Sequence, residues 1–278
     1  MPSGQRNVIE WLGEATAGDE ALGGKGASLD RLIRLGYRVP PGFCVTTAAF
    51  RAGTDAAEPL DAELADALEA ALGRLEVAVA GVTGGPARLA VRSSAIGEDG
   101  TVASFAGLHE TELDVAPADV PAAVHRCWAS LASVPAVAYR AARGLSSDDA
   151  AMAVVVQALV PADAAAVVFT RHPVTGREDQ LVITAARGLG DAMVAGTITP
   201  DTLVIDRATK AVVEFTPGEG SGAPILRAAE LSELVELSLA VERDFGRAVD
   251  IEAALTGQDW YLLQARPITT AGPAGARS

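Results

Sequence analysis

The stretch "DIEAALTGQDWYLLQARP", residues 250–267, holds two runs of alternating or apolar residues separated by a short polar turn. It reads as two strands of one antiparallel hairpin. Side chains two apart on a strand share a face, so Asp250 and Glu252 lie together on the first strand, and Gln264 and Arg266 on the second. If the strands pair, a carboxylate, an amide oxygen and a guanidinium converge: oxygen ligands for Mg²⁺ beside a clamp for phosphate. A solvated hairpin face is the alternative, and the apolar neighbours Ile251, Leu262 and Leu263 permit either.

Upstream, the same character begins near residue 151. "MAVVVQALV", "AAAVVFT", "QLVITA", "DTLVID" and "AVVEF" follow one another with short gaps and turn residues, predicting antiparallel neighbours. One amphipathic helix, about 228–245, interrupts the series. The first half is helical by contrast. Leu60, Leu64, Leu68, Leu72 and Leu75 make one helical stripe, and Val120, Val124, Trp128 and Leu131 another within 117–143, which Pro135 should interrupt or restart. "ARLAVRSSAIGEDG" reads as a strand over 87–92 that breaks into a polar loop. The expected class is α+β, with a cleft between a helix-rich lobe, 1–150, and a sheet-rich lobe, 151–270, and a tail over 271–278.

Composition narrows the partners. With 278 residues and 49% hydrophobic residues but only 4% aromatic ones, the chain can bury a sizeable core of Ala, Val and Leu. A net charge of −14 disfavours a nucleic-acid backbone or an anionic membrane, since both need a basic face. Cys44 and Cys127 form no CxxC pattern, which excludes a disulfide framework and fits a reducing compartment. The N-terminus lacks the apolar run of a signal peptide, and no stretch approaches the length of a membrane span, so a cytoplasmic protein is expected.

A second candidate site lies at "LGGKGASL", residues 22–29. Lys25 sits between two glycines at the start of a helix whose apolar face carries Leu29, Leu32 and Ile33 and which Gly36 closes. Missing side chains let backbone approach an anion, and the helix end adds partial positive charge. The spacing matches neither GxxxxGK[ST] nor GxGxxG, so an ordinary glycine-rich helix start is the competing reading. Arg92, at the expected end of its strand and followed by two hydroxyls, has the fork that suits phosphate, although a surface ion pair is the commoner use. His109, His125 and His172 each read as structural or surface residues rather than nucleophiles.

Taken together, "GGKGASL", "VPPGFCVTT", "AVRSSAIGED", "ASFAGLHET", "VVVQALV", "VFTRHPVTG", "ITAARGLGDAMVAGTITPD" and the 250–267 hairpin resemble the ATP-binding domain of the phosphoenolpyruvate synthase, pyruvate phosphate dikinase and rifamycin phosphotransferase family. These pieces stand in family order over about 22–268. The resemblance implies a two-lobed, ATP-grasp-type nucleotide-binding fold. It implies that Lys25 and Arg92 hold ATP phosphates, that Gly107 lines the phosphate pocket, and that Gln157 and the backbone near Leu159 meet the adenine. Glu252 and Gln264 would ligate Mg²⁺, Arg266 would bridge to the phosphates, and Asp250 is a weaker candidate beside the metal. Asp191 stands where the family usually has Glu, one methylene longer, and its reach to the ribose is in question.

In the resembling family a histidine on a separate swivelling domain attacks the β-phosphorus of ATP, AMP leaves, and the phosphorylated histidine serves an acceptor held by a third domain. The sequence has no histidine in such a setting. The expected function is therefore the ATP-binding component of a split phosphotransferase, working with a separate histidine-bearing protein or subunit and a small-molecule acceptor. Two other readings stay open: an ATP-sensing or scaffolding module without turnover, and a self-sufficient ATP-grasp kinase or ligase.

Overall fold

The computed structural model describes residues 7–52, 60–83, 87–96, 111–134, 136–138, 150–190, 193, 196–218 and 223–268. Two compact units divide the chain: Met1–Gly36 with Pro40–Leu159, and Tyr37–Val39 with Val160–Ser278. The α+β class holds, with an antiparallel sheet in each unit.

The sheet of the first unit runs in the order β1 (Ile9–Trp11), β2 (Gly42–Val45), β5 (Met152–Ala158), β3 (Leu89–Ala95), β4 (Thr111–Val115). Each neighbouring pair is antiparallel. Residues opposite one another across such a pair share a face. One face thus collects Phe43, Val45, Leu89, Val91, Met152, Val154 and Val156, all buried in one core with Ala49 of α2 (Thr47–Ala52), Leu64, Leu68 and Leu75 of α3 (Ala62–Thr83) and Val120, Val124 and Trp128 of α4 (Val120–Ser130). The strand MAVVVQA, grouped with the later strands by its composition, is the centre of this first sheet. Its pairing also lengthens β3: Ser93 and Ser94 stay in the strand because Val154 and Ala153 supply their ladder partners, and Arg92 sits inside the strand rather than at its end. The helix expected over 117–143 is interrupted: a single 3₁₀ turn at Pro117–Asp119 leads into α4, which ends at Ser130, and helical backbone resumes at 134 and 136–138.

The opposite face of this sheet carries Glu10, Gly42, Cys44, Ala90, Arg92, Ser94, Val155 and Gln157, and α1 (Asp19–Arg34) lies against it. At Gly26 an added Cβ would stand 3.1 Å from Leu22 Cβ and 3.2 Å from Cys44 Sγ, so any larger residue would require its neighbours to give by a few tenths of an ångström. The approach to α1 is held by two carboxylates. Glu10 accepts the amides of Thr16 and Ala17, each at 3.1 Å, and Asp30 accepts the amide of Gly13 at 2.7 Å and Arg34 Nε at 2.7 Å.

The sheet of the second unit runs β11 (Asp259–Pro267), β10 (Val249–Thr256), β6 (Ala164–Phe169), β7 (Gln180–Arg187), β8 (Asp201–Asp206), β9 (Val212–Thr216), again antiparallel throughout. Ile251, Val168, Ile183 and Leu203 stand side by side on one buried face. Helix α5 (Ala228–Phe245), with Leu234, Val235 and Val241 buried, covers it; Trp260, opposite Leu255 on that face, donates its indole N–H to the Glu230 carbonyl at 3.1 Å. The outer edge of β11 is partly closed by Tyr37–Val39, since Leu262 N–H donates to the Arg38 carbonyl at 2.9 Å. Among the described residues no helix is long and apolar enough to cross a membrane.

The α3 stripe gives a direct check on the first core. Leu75→Ala should lower unfolding free energy by about 2–5 kcal/mol, because it empties a buried site. Val77→Ala, where the side chain is 78% exposed, should change it by less than about 0.5 kcal/mol. Equal losses in urea unfolding would contradict the orientation of α3.

Candidate functional site

Lys25 follows a break in α1. Gly23 interrupts the helix with φ 67° and ψ 174°, a left-handed-side conformation that glycine adopts without steric cost. Its would-be Cβ stands only 2.1 Å from the Ser94 carbonyl oxygen, so the helix and β3 meet through a bare backbone. Past the break, Lys25 lies across β3 and its Nζ donates to the Ser93 carbonyl at 2.7 Å. The residue is only 6% exposed, an unusual place for an ammonium group. Arg92, next to Ser93 in the chain, is buried on the face that α1 covers. Both cations thus lie on the α1 side of the first sheet.

Gln157 shares that face, opposite Ala90 and Gly42, and is a diagonal neighbour of Arg92. Its Nε2 donates to the Pro40 carbonyl at 3.0 Å, which fixes which way the amide turns. Leu159 follows β5, and its amide donates to the Arg88 carbonyl at 2.8 Å. Gly107, His109 and Asp191 lie outside the described residues.

In the second unit the 250–267 hairpin forms, and its register pairs the expected residues directly: Asp250 opposite Arg266, and Glu252 opposite Gln264. Parity alone would not do this. Trp260, Leu262, Gln264 and Arg266 are all even-numbered, and a regular strand would put them on one face. A bulge intervenes: Glu252 pairs with Gln264 but Ala253 pairs with Leu262, leaving Leu263 as the extra residue. Trp260 and Leu262 therefore join the buried apolar face, while Gln264 and Arg266 turn to the face of the carboxylates.

Arg266 Nε donates to Asp250 Oδ2 at 2.7 Å, a charge-assisted bond that holds the guanidinium against β10. Burial pushes the Asp250 carboxyl pKa up; Arg266 opposes that shift and the neighbouring Glu252 adds to it. The donor set of Glu252 and Gln264, one carboxylate and one amide oxygen, suits a hard cation. Among the described residues no group of three or more His, Cys, Asp or Glu side chains is placed to hold a metal. The pair thus fits an ion such as Mg²⁺ that brings other oxygen ligands with it on phosphate, rather than a fully protein-caged metal.

The remaining histidines have structural partners in view. His172 Nδ1 accepts the amides of Val174 and Thr175 at 3.2 and 3.3 Å, building its own turn. His125 packs edge-on against Trp128 with ring centroids 5.8 Å apart. Two features were not read from the sequence: the bond that ties Asp250 to Arg266, and the hydroxyl of Ser94, which bonds to the backbone of α1. The glycine pair inside the α1 pattern was the available signal for the second.

Residues 54–221 match the family described as pyruvate phosphate dikinase, AMP/ATP-binding domain. Among curated proteins, the prodigiosin synthesizing transferase PigC of Serratia marcescens is 36% identical, over 95% of this chain and 33% of its own length. A rifampicin phosphotransferase of a Streptomyces species is 36% identical over 98% of this chain and 37% of its own, and a probable phosphoenolpyruvate synthase of Methanothermobacter thermautotrophicus is 35% identical over 96% and 46%. The chain thus spans less than half the length of these relatives. A D-alanine–D-alanine ligase structure from Helicobacter pylori aligns with 90% of this chain and 63% of its own at a TM-score of 0.33 and 10% identity, too distant a likeness to bear on the fold. With more than half of its residues matched, the chain belongs to the family of pyruvate phosphate dikinase AMP/ATP-binding domains.

Proposed function

We propose that this chain, as a domain of ATP-grasp type, binds Mg-ATP and presents its β-phosphorus to a histidine carried on another domain or protein. The observation that carries the reading is the gathering of Lys25 and Arg92 on one face of the first unit, two buried cations in a chain of net charge −14. An ammonium and a guanidinium are the two side-chain donors best suited to the oxygens of a polyphosphate. The relatives support the division of labour: their names differ in what they act on, yet all align over this same segment.

In this reading Lys25 and Arg92 hold the phosphates, Gly107 lines their pocket, and Gln157 with the Leu159 backbone meets the adenine. Asp191 is the candidate partner of the ribose. Glu252 and Gln264 ligate the Mg²⁺ that arrives with the nucleotide, and Arg266, held by Asp250, bridges to the phosphates. The histidine nitrogen bonds to the β-phosphorus as the bond from that phosphorus to the α,β-bridging oxygen breaks, and AMP leaves with the electron pair. The γ-phosphoryl group is then lost to water as phosphate, and the phosphohistidine passes its group to a small-molecule acceptor held elsewhere. The chain's own contribution is position and charge neutralisation, the two things phosphoryl transfer most needs.

Incubation with Mg-ATP and a histidine-bearing domain from a relative should release AMP only when both proteins are present. Arg92→Ala and Glu252→Ala should each abolish phosphorylation of the histidine while leaving the unfolding midpoint near the wild-type value; transfer at the wild-type rate in either variant would overturn the assignment. The two residues should also differ in kind. Glu252→Ala should raise the Mg²⁺ concentration for half-maximal ATP binding by about tenfold, as loss of an oxygen ligand does. Arg92→Ala should weaken ATP binding by about tenfold or more even at saturating Mg²⁺, because it removes a charge-assisted contact.

A further inference from the structure

In an unbroken α-helix the amide of residue i+4 donates to the carbonyl of residue i. In α1 one such pair is Gly26 N–H and Leu22 C=O, and a hydroxyl from another strand bridges it. Gly26 N donates to Ser94 Oγ at 3.0 Å, and Ser94 Oγ donates to the Leu22 carbonyl at 2.7 Å. Insertion of a side chain into the hydrogen-bond ladder is a cause of sharp helix bends. The bend is where it should be, at Gly23 between the two bridged residues. Ser94 is fully buried, and the Cys44 thiol stands 3.5 Å from the same Leu22 carbonyl, so the bridge is shut away from water.

We infer that Ser94 is the positioning residue for Lys25: its hydroxyl holds α1 open at Gly23, so that the turn carrying Lys25 is laid across β3 with its ammonium on the Ser93 carbonyl beside Arg92. Without the hydroxyl, Gly26 N–H and Leu22 C=O meet directly, the helix straightens, and Lys25 rotates off the strand. The consequence for ATP rests on the reading of Lys25 as a phosphate-holding group; the geometric claim does not.

The chain has only two lysines, Lys25 and Lys210, which makes the geometric claim measurable without nucleotide. Lys210 is 44% exposed along its side chain and pairs with Glu236 at the surface, so it serves as the internal reference for an amine-labelling reagent. In the wild-type protein Lys25 should label at least about tenfold more slowly than Lys210, since labelling requires local opening. Ser94→Ala should raise the Lys25 rate about tenfold and leave Lys210 alone, whereas Ser94→Thr, which keeps the hydroxyl, should stay within about twofold of wild type. Equal labelling of the two lysines in the wild type overturns the inference even if the alanine variant fails to fold. So does an unchanged Lys25 rate in Ser94→Ala, or the same rise in Ser94→Thr.

The second arm measures Mg-ATP affinity. Ser94→Ala should weaken binding about tenfold in the wild-type background but less than about twofold in a Lys25→Ala background, because the two changes remove the same interaction. Equal losses in both backgrounds would show a merely structural serine and sink the positioning role. The labelling result with no ATP binding by the wild type would leave the geometric claim standing and overturn the proposed function.

Discussion

Alternation across an antiparallel sheet decides where each polar group in this protein can go. Each sheet gives one face to an apolar core, so a residue of either strand set is either packed against helices or turned to the other side. In β3 that separates Leu89 and Val91 from Arg92 and Ser94; in β10 it separates Val249 and Ile251 from Asp250 and Glu252. The charged candidates are on the non-core faces because a one-residue slip would drive them into hydrocarbon, at a cost the fold could not meet. The polar face of the first sheet is then covered by α1, and the bare backbone at Gly23 lets that helix come near enough for Lys25 to reach the strand.

Two local departures from regularity refine this pattern. The first unit breaks a helix at Gly23, with the Ser94 hydroxyl bridging the ladder there. The second inserts Leu263 as a bulge and so returns Gln264 and Arg266 to the carboxylate side. Each irregularity lies within a residue or two of the groups proposed to handle phosphate or metal. Bulges and interrupted helices are characteristic ways of re-aiming a side chain at a site.

Much of this was legible in the sequence. The strands from 151 onward, the 228–245 helix and the leucine stripe of α3 are all present, because each is long and strongly periodic. The pairing of the 250–267 hairpin was expected from alternation, and the observed register puts Glu252 opposite Gln264. What was not legible depends on partners distant in sequence. MAVVVQA belongs to the first sheet because β2 and β3 flank it, and β3 runs on through Ser93 and Ser94 because β5 pairs with them. Neither the Asp250–Arg266 bond nor the Ser94 bridge has a periodicity to announce it; both are single contacts set by register.

The proposed function reduces to one chemical act, the delivery of an ATP phosphorus to a histidine nucleophile. The most direct measurement uses ATP radiolabelled at the β-phosphorus, incubated with this chain, Mg²⁺ and a histidine-bearing domain. The account predicts label on the histidine and release of unlabelled AMP. Release of labelled ADP, with the histidine marked only when the label starts on the γ-phosphorus, would contradict it.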